Sequence, residues 1–343
     1  MPSSWPPASV YASCRCNRAD MAQEFYPADA TILRHAARAV QAGQLTWLGT
    51  VLATYGSSPR PPGSLWAWSP TLGMAGSLSG GCVEEDLLQR LQQGQFGNSP
   101  ARLSFGVSHE EQQRYRLPCG GVLDILLEPL TSADLTHLLQ MCWLLEERLP
   151  FVREHTGEHY RLTEPQPGEA LLSLHKQGFR RVFQPQWQLL LVGAGEVARQ
   201  LAQLAQPAGF EVTLCDHREA FLQGFDVPGV HIARCQPDQL IARQFQDKQC
   251  AIVTLAHDPR LDDLALLEAF NTTAYYLGAM GSLRTSASRR QRLQELGISA
   301  AQLQRLHAPV GLDIGSKTPY EIALSILAHL LQQRPQTHSS PLC

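Results

Sequence analysis

The chain has 343 residues, with 28 Lys and Arg against 31 Asp and Glu and a formal charge of −3. That balance gives no positive field for a nucleic-acid backbone, and no apolar run reaches the ~18 residues of a membrane span. Apolar residues are 44% and charged residues 17%, enough for a sizeable core, and the length suggests about two domains of ~150 residues each.

Residues 1–21 read as a disordered Pro/Ser-rich leader holding Cys14 and Cys16, with Met21 an alternative start. They lack the charged-then-apolar order of a secretory signal. The nine cysteines are scattered and odd in number, which fits reduced thiols in a cytoplasm better than a disulfide framework. Residues 29–42 have apolar positions at helical spacing, with Asp29 as candidate N-cap and Gly43 as the stop. Residues 45–55 read as a strand. Residues 65–69 and 74–78 read as a hairpin about Pro70-Thr71-Leu72-Gly73. A helix is expected over 83–93 starting at Cys82, strands over 102–105 and 122–128, and a helix over 132–148. Residues 22–150 thus form one small α+β domain.

Residues 151–187 are polar and rich in Gly and Pro, and read as weak strands and a connecting region. From 188 to 335 the pattern changes to apolar strands at 189–193, 211–215, 230–233, 251–256 and 274–277, with helix-like sequence between them. That alternation predicts an α/β, doubly wound parallel sheet of Rossmann type. Residues 336–343 read as a flexible tail.

Two motifs set a thiol against paired glycines: Ser79-Gly80-Gly81-Cys82-Val83-Glu84-Glu85 and Pro118-Cys119-Gly120-Gly121. Paired glycines permit positive φ and close backbone approach to a ligand. At a helix N-terminus the dipole favours the Cys82 thiolate, while Glu84, Glu85 and Asp86 act against it. Buried structural cysteines are the other reading of both. With no CxxC pair and no matched His spacing, a zinc site is not expected.

Gly193-Ala194-Gly195-Glu196-Val197-Ala198 follows an apolar strand and opens a helix. Gly193 would make the tight turn and Gly195 would admit a phosphate group to the helix N-terminus. Asp216, 21 residues after Gly195, stands where a carboxylate can hold a ribose hydroxyl. A relic Rossmann site used for another ligand is the alternative. Gly281 and Ser282, with Arg284, Arg289 and Arg290 after them, read as a phosphate receptor at a strand end or as a solvated helix face. His257-Asp258 reads as an acid/base pair or a helix cap.

These blocks together resemble the XdhC/CoxI family, accessory proteins of xanthine dehydrogenase and related molybdenum hydroxylases. The resemblance runs from about residue 30 to 332. In the first half it rests on Tyr55-Gly56-Ser57-Ser58-Pro59-Arg60, on 76–84 and on Cys119-Gly120-Gly121. In the second half it rests on 191–195, Thr254-Leu255-Ala256-His257-Asp258, 278–282, and 307–315 through 318–323. It departs from the family pattern at Glu196, where that pattern often has His, and at Ala328-His329-Leu330, where it often has Ala-Glu-Ile.

The resemblance implies a cytoplasmic chaperone of purine catabolism rather than a catalyst. Such a protein binds the molybdenum cofactor (molybdopterin), supports its sulfuration by a cysteine desulfurase, and inserts it into an apo xanthine dehydrogenase or related hydroxylase, with a homodimer as the expected assembly. Cys82 and Cys119 would be the soft ligands toward the metal, in one shared cleft. The helix N-termini and arginines would take the phosphate. An NAD(P)-dependent oxidoreductase using the Rossmann half, and a pure interaction adaptor, are the alternatives.

Overall fold

Ile32, Leu33, Ala36, Ala37 and Val40 recur at helical spacing and are buried, so Asp29–Gln41 folds as the amphipathic helix α1. The computed structural model describes residues 29–55, 60–108, 111, 121–156, 159–176 and 178–335. These fall into two units that meet in sequence at Pro185 and Gln186.

In the first unit, strands β1 (Thr46–Tyr55), β2 (Leu65–Ser69), β3 (Gly73–Gly76), β4 (Ala101–Phe105) and β5 (Val122–Leu130) form an antiparallel sheet ordered β3-β2-β1-β5-β4. Alternate residues face opposite sides. Leu48 and Ala67 pack under α1 and α3 (Leu135–Glu146), while Trp47 and Trp66 pack under α2 (Cys82–Gln92). The sheet is therefore covered on both faces by helices of its own unit.

Most boundaries shift by one or two residues from the sequence reading, and two of the differences have a clear local form. The strand expected over 74–78 stops at Gly76, whose φ of 79° lies in the left-handed region. A Cβ there would stand 2.4 Å from the Leu65 carbonyl oxygen, so no other residue fits without shifting the hairpin. The helix expected over 132–148 starts as a 3-10 turn at Ser132–Asp134 and becomes α3 only at Leu135.

Residues 151–183 form a second antiparallel sheet of β6 (Phe151–Thr156), β7 (His159–Thr163), β8 (Leu172–His175) and β9 (Gly178–Phe183), ordered β7-β6-β9-β8. Buried charges tie it to the rest of the unit. Arg153 donates to both oxygens of Glu128 on β5, each at 2.9 Å, and Arg181 bonds Asp29 at 2.7 Å.

In the second unit, β10 (Trp187–Val192), β11 (Phe210–Cys215), β12 (His231–Ala233), β13 (Cys250–Thr254), β14 (Tyr276–Ala279) and β15 (Leu306–His307) are all parallel. Their order is β12-β11-β10-β13-β14-β15. Helices α4 (Glu196–Ala205) and α10 (Pro319–Gln333) cover one face. Helices α6 (Pro237–Gln244), α7 (Pro259–Ala269) and α8 (Leu283–Glu295) cover the other, and α5 (Glu219–Leu222) and α9 (Ala300–Leu303) are single turns. This is the Rossmann arrangement. The order reverses between β10 and β13, where open α/β sheets collect ligands. Among the described residues no helix is long and apolar enough to cross a membrane.

Candidate functional site

Past Gly76 the chain runs through Ser77-Leu78-Ser79-Gly80-Gly81 into α2, and Glu84 folds back into that loop. Its Oε1 accepts from Ser77 Oγ at 2.8 Å and from the N–H groups of Leu78, Ser79 and Gly80 at 2.8, 2.9 and 2.9 Å. Its Oε2 accepts from Ser79 Oγ at 2.5 Å and from the Gly81 N–H at 2.9 Å. Burial works against the charge, but the Ser79 hydroxyl and the amides of Ser79, Gly80 and Gly81 outweigh it and hold the carboxyl down at about 2. The amides of the glycine pair therefore already hold an internal anion. They shape the loop instead of waiting for a phosphate.

Beside this loop lies a groove of about 540 Å³, a size that suits a small ligand. Its walls are Met74, Gly80 and Gly81 together with Glu85, Leu88, Gln89 and Gln92 of α2. The helix divides its labour by face. Val83, Leu87 and Leu91 are buried in the core. Asp86 pairs with Arg90 at 3.8 Å, and Arg90 lies over the Phe96 ring. Glu85, Gln89 and Gln92 are exposed on the groove side, and none has a side-chain hydrogen bond or ion pair among the described residues.

Of the thiol motifs, Cys82 is the first residue of α2, while Cys119 and Gly120 lie outside the described residues. Gly121 directly precedes β5, where Val122 pairs with Tyr55 at the end of β1. Gly76 pairs with Trp66, which pairs with Gly49. In this register β3 stops level with Gly49 while β5 starts level with Tyr55, about six residues further along β1. Among the described residues no three His, Cys, Asp or Glu gather as metal ligands.

In the second unit the glycine turn has the expected shape. Gly193 has φ 105°, and a Cβ on it would meet Ala256 Cα at 2.5 Å, so the β10 turn presses against the β13 loop. Gly195 caps α4 with open space beside it. Asp216 differs from expectation. It is wholly buried, and its Oδ2 accepts the Ala194 N–H at 3.0 Å and Arg218 Nη2 at 2.8 Å. Its Oδ1 takes the Arg218 N–H at 3.0 Å and Nε at 2.9 Å. No carboxylate oxygen is left for a ribose hydroxyl. Burial raises its pKa, but Arg218 and the Ala194 amide prevail and lower it.

The basic segment is also arranged differently. Arg289 is buried and bonds Asp263 at 3.2 Å, Asp262 at 2.9 Å and the Met280 carbonyl at 3.0 Å. Arg290 donates to the Leu303 and Leu306 carbonyls, each at 2.7 Å. Both hold α8 in place and are not open to a phosphate; Arg284 alone of the three is exposed. Burial lifts the Asp262 carboxyl to about 6 despite Arg289 beside it. Ser282, beside Gly281, caps α8 through the Thr285 N–H at 3.2 Å. Asp258 caps α7 through the Arg260 N–H at 3.0 Å, so the His257-Asp258 pair serves as a helix cap.

Two family models match the sequence: the XdhC and CoxI family over residues 39–106 and the XdhC Rossmann domain over 189–330. The chain belongs to the XdhC/CoxI family. The first match takes in the groove, the Glu84 loop and Cys82; the second takes in the parallel sheet from β10 into α10. Among XdhC/CoxI relatives, the chain is 28% identical over 313 residues to the molybdenum cofactor insertion chaperone PaoD of Escherichia coli (strain K12), spanning 89% of this chain and 88% of that protein. It is 26% identical over 313 residues to a probable xanthine dehydrogenase subunit of Bacillus subtilis (strain 168), spanning 84% and 92%. A crystal structure described as a xanthine dehydrogenase from Bacillus halodurans shares the fold, with a TM-score of 0.71 and 23% identity over 92% of this chain and 98% of that one.

Proposed function

We propose that this protein is a molybdenum cofactor chaperone. It receives molybdopterin in the groove beside Cys82, holds it while a cysteine desulfurase supplies the sulfido ligand, and passes it to an apo xanthine dehydrogenase-type hydroxylase in the cytoplasm, acting as a homodimer. The observation that carries the reading is that Gly80 and Gly81, the glycine pair directly before Cys82, line the groove, within the segment matched by the family model. The relative named as a molybdenum cofactor insertion chaperone supports it. A thiolate is a soft ligand suited to molybdenum. Cys119, set against its own glycine pair, is the proposed second thiol on the strength of the sequence motif.

The alternative, an NAD(P)-dependent oxidoreductase, draws on the Rossmann strand order. Against it stands Asp216, whose oxygens are taken by Ala194 and Arg218. Calorimetric titration with NAD should give a Kd no tighter than about 1 mM, a binding energy of only ~4 kcal/mol.

The deciding experiment is metal and pterin analysis of the protein purified from cells that make the cofactor. Wild type should carry both, and Cys82→Ser should stay folded and carry less. Wild type free of pterin would end the chaperone reading. Equal loading of Cys82→Ser would make Cys82 structural.

A further inference from the structure

Cys215 is the last residue of β11, and Cys235 lies in the bend between β12 and α6. The two strands run parallel with Cys215 opposite Ala233, and the Asp216 N–H donates to the Ala233 carbonyl at 3.2 Å. Both cysteine side chains join the core beneath α6, α7 and α8. The Cys215 thiol donates to the Cys235 carbonyl at 3.3 Å, and the Cys235 thiol is a hydrogen-bonding neighbour of the Cys215 thiol. Both are free thiols. Of the other free cysteines among the described residues, Cys250 opens β13 at the opposite, amino end of the same sheet, and Cys142 belongs to the first unit.

The two thiols differ in access. Cys215 is wholly buried. Burial, and then the Cys235 thiol beside it, push its thiol up to about 12, which makes it a poor first nucleophile. Cys235 is partly exposed and sits outside the strand ladder, in a bend that can swing the short distance to a sulfur–sulfur bond. We propose that Cys215 and Cys235 are a reversible disulfide-forming site for hydrogen peroxide, with Cys235 as the entry thiol and Cys215 as the resolving one. The Cys235 thiolate attacks one peroxide oxygen, the O–O bond breaks, and Cys235 becomes a sulfenic acid as one water leaves. The Cys215 sulfur then attacks the Cys235 sulfur. The S–S bond forms, and the sulfenic hydroxyl departs with the Cys215 proton as a second water. The two thiols lose two electrons in all, and the peroxide takes them.

The pair stands directly behind the glycine turn. The Cys215 carbonyl accepts the Gly193 N–H at 3.0 Å, and the carboxylate of the next residue, Asp216, accepts the Ala194 N–H at 3.0 Å. A cross-link at Cys215 therefore restrains the residue that holds the turn, at the sheet end where open α/β folds collect ligands.

Full-length wild type, Cys235→Ser and Cys215→Ser are reduced, treated with hydrogen peroxide, and alkylated to block the remaining free thiols. Trypsin cuts after Arg218 and Arg234, which puts the two cysteines in separate peptides, so mass spectrometry reads their disulfide as a cross-linked pair. Wild type should give that cross-link, and dithiothreitol should remove it. In Cys235→Ser the Cys215 thiol should disappear roughly tenfold more slowly, since burial leaves it little thiolate. In Cys215→Ser, Cys235 should be trapped as its sulfenic acid by dimedone. If Cys215→Ser fails to fold, wild type and Cys235→Ser, altered at the more exposed position, still decide. Amide hydrogen exchange over residues 193–195 should slow on oxidation of wild type and not of Cys235→Ser. Wild type in which Cys215 and Cys235 stay reduced while other cysteines oxidise, or pair with those cysteines, would overturn the site. Cys215 lost as fast in Cys235→Ser as in wild type would overturn the choice of entry thiol. Unchanged exchange over 193–195 would overturn the link to the glycine turn.

Discussion

Glu84 Oε2 accepts the Gly81 N–H at 2.9 Å, so the residue just before Cys82 is locked by the residue two after it. Five further bonds from Ser77 to Gly80 complete the lock. Glu84→Gln swaps one acceptor oxygen for a donor facing donors. It should lower stability by about 2–4 kcal/mol, since buried N–H groups lose their partner. Urea unfolding of the variant against wild type measures this.

The same carboxylate sets a lower pH bound. Its folded pKa of about 2 lies below the ordinary 4.5. Its stabilisation is therefore fully present above about 4.5 and is lost as pH falls toward about 2. Stability measured through that window should decline more steeply in wild type than in Glu84→Gln, which has no proton to take up at that position. Parallel curves would show that Glu84 is not the titrating group.

Gly76 and Gly80 both have left-handed φ, 79° and 91°, but their surroundings differ. A Cβ at Gly76 would strike Leu65 O at 2.4 Å and Ile32 Cδ1 at 2.7 Å, whereas nothing lies within 4 Å of one at Gly80. Gly80→Ala should cost only the backbone strain, about 1–2 kcal/mol. Gly76→Ala should cost about 2–3 kcal/mol more, with overpacking added. Thermal melts of the two single variants test the ranking.

Arg289 bridges Asp262 and Asp263 inside the second unit. Arg289→Ala should destabilise by about 3–5 kcal/mol, because the buried Asp262 carboxylate loses its counter-charge, while Asp263 keeps Arg292 at 2.7 Å. Arg284→Ala, at an exposed site, should change stability by less than about 0.5 kcal/mol. Loss of cofactor handling in an Arg289 variant would then reflect unfolding, and differential scanning calorimetry would show it.

The Rossmann half was legible in the sequence because its strands are apolar runs separated by helical periods and its first turn needs Gly193. The sheet over 151–183 was harder to read. Arg153, His155 and Arg181 are buried there, paired with charges such as Glu128 and Asp29 that are distant in sequence, so the usual inside-outside pattern fails. Arg289 looked like part of a basic surface. Its spacing of three from Ser286 and four from Leu293, both buried, was the available sign that it faces inward. Glu84 was read as a first-turn acid suited to the helix dipole. Its sixfold bonding depends on how the serines and glycines before it curl, and only the placed backbone reveals that. Cys119 and Gly120 lie outside the described residues, so the second thiol stays a sequence-level proposal.

The three faces of α2 bear on how the family could diversify. Residues 83, 87 and 91 answer to the core, and Glu84 answers to the loop, so change there carries a folding penalty. Positions 85, 89 and 92 answer to neither. Mutational drift at these three positions would reshape the groove wall while leaving the scaffold intact, so related chains should diverge there first. Stability screens would be blind to such variants; only a ligand-binding assay would separate them.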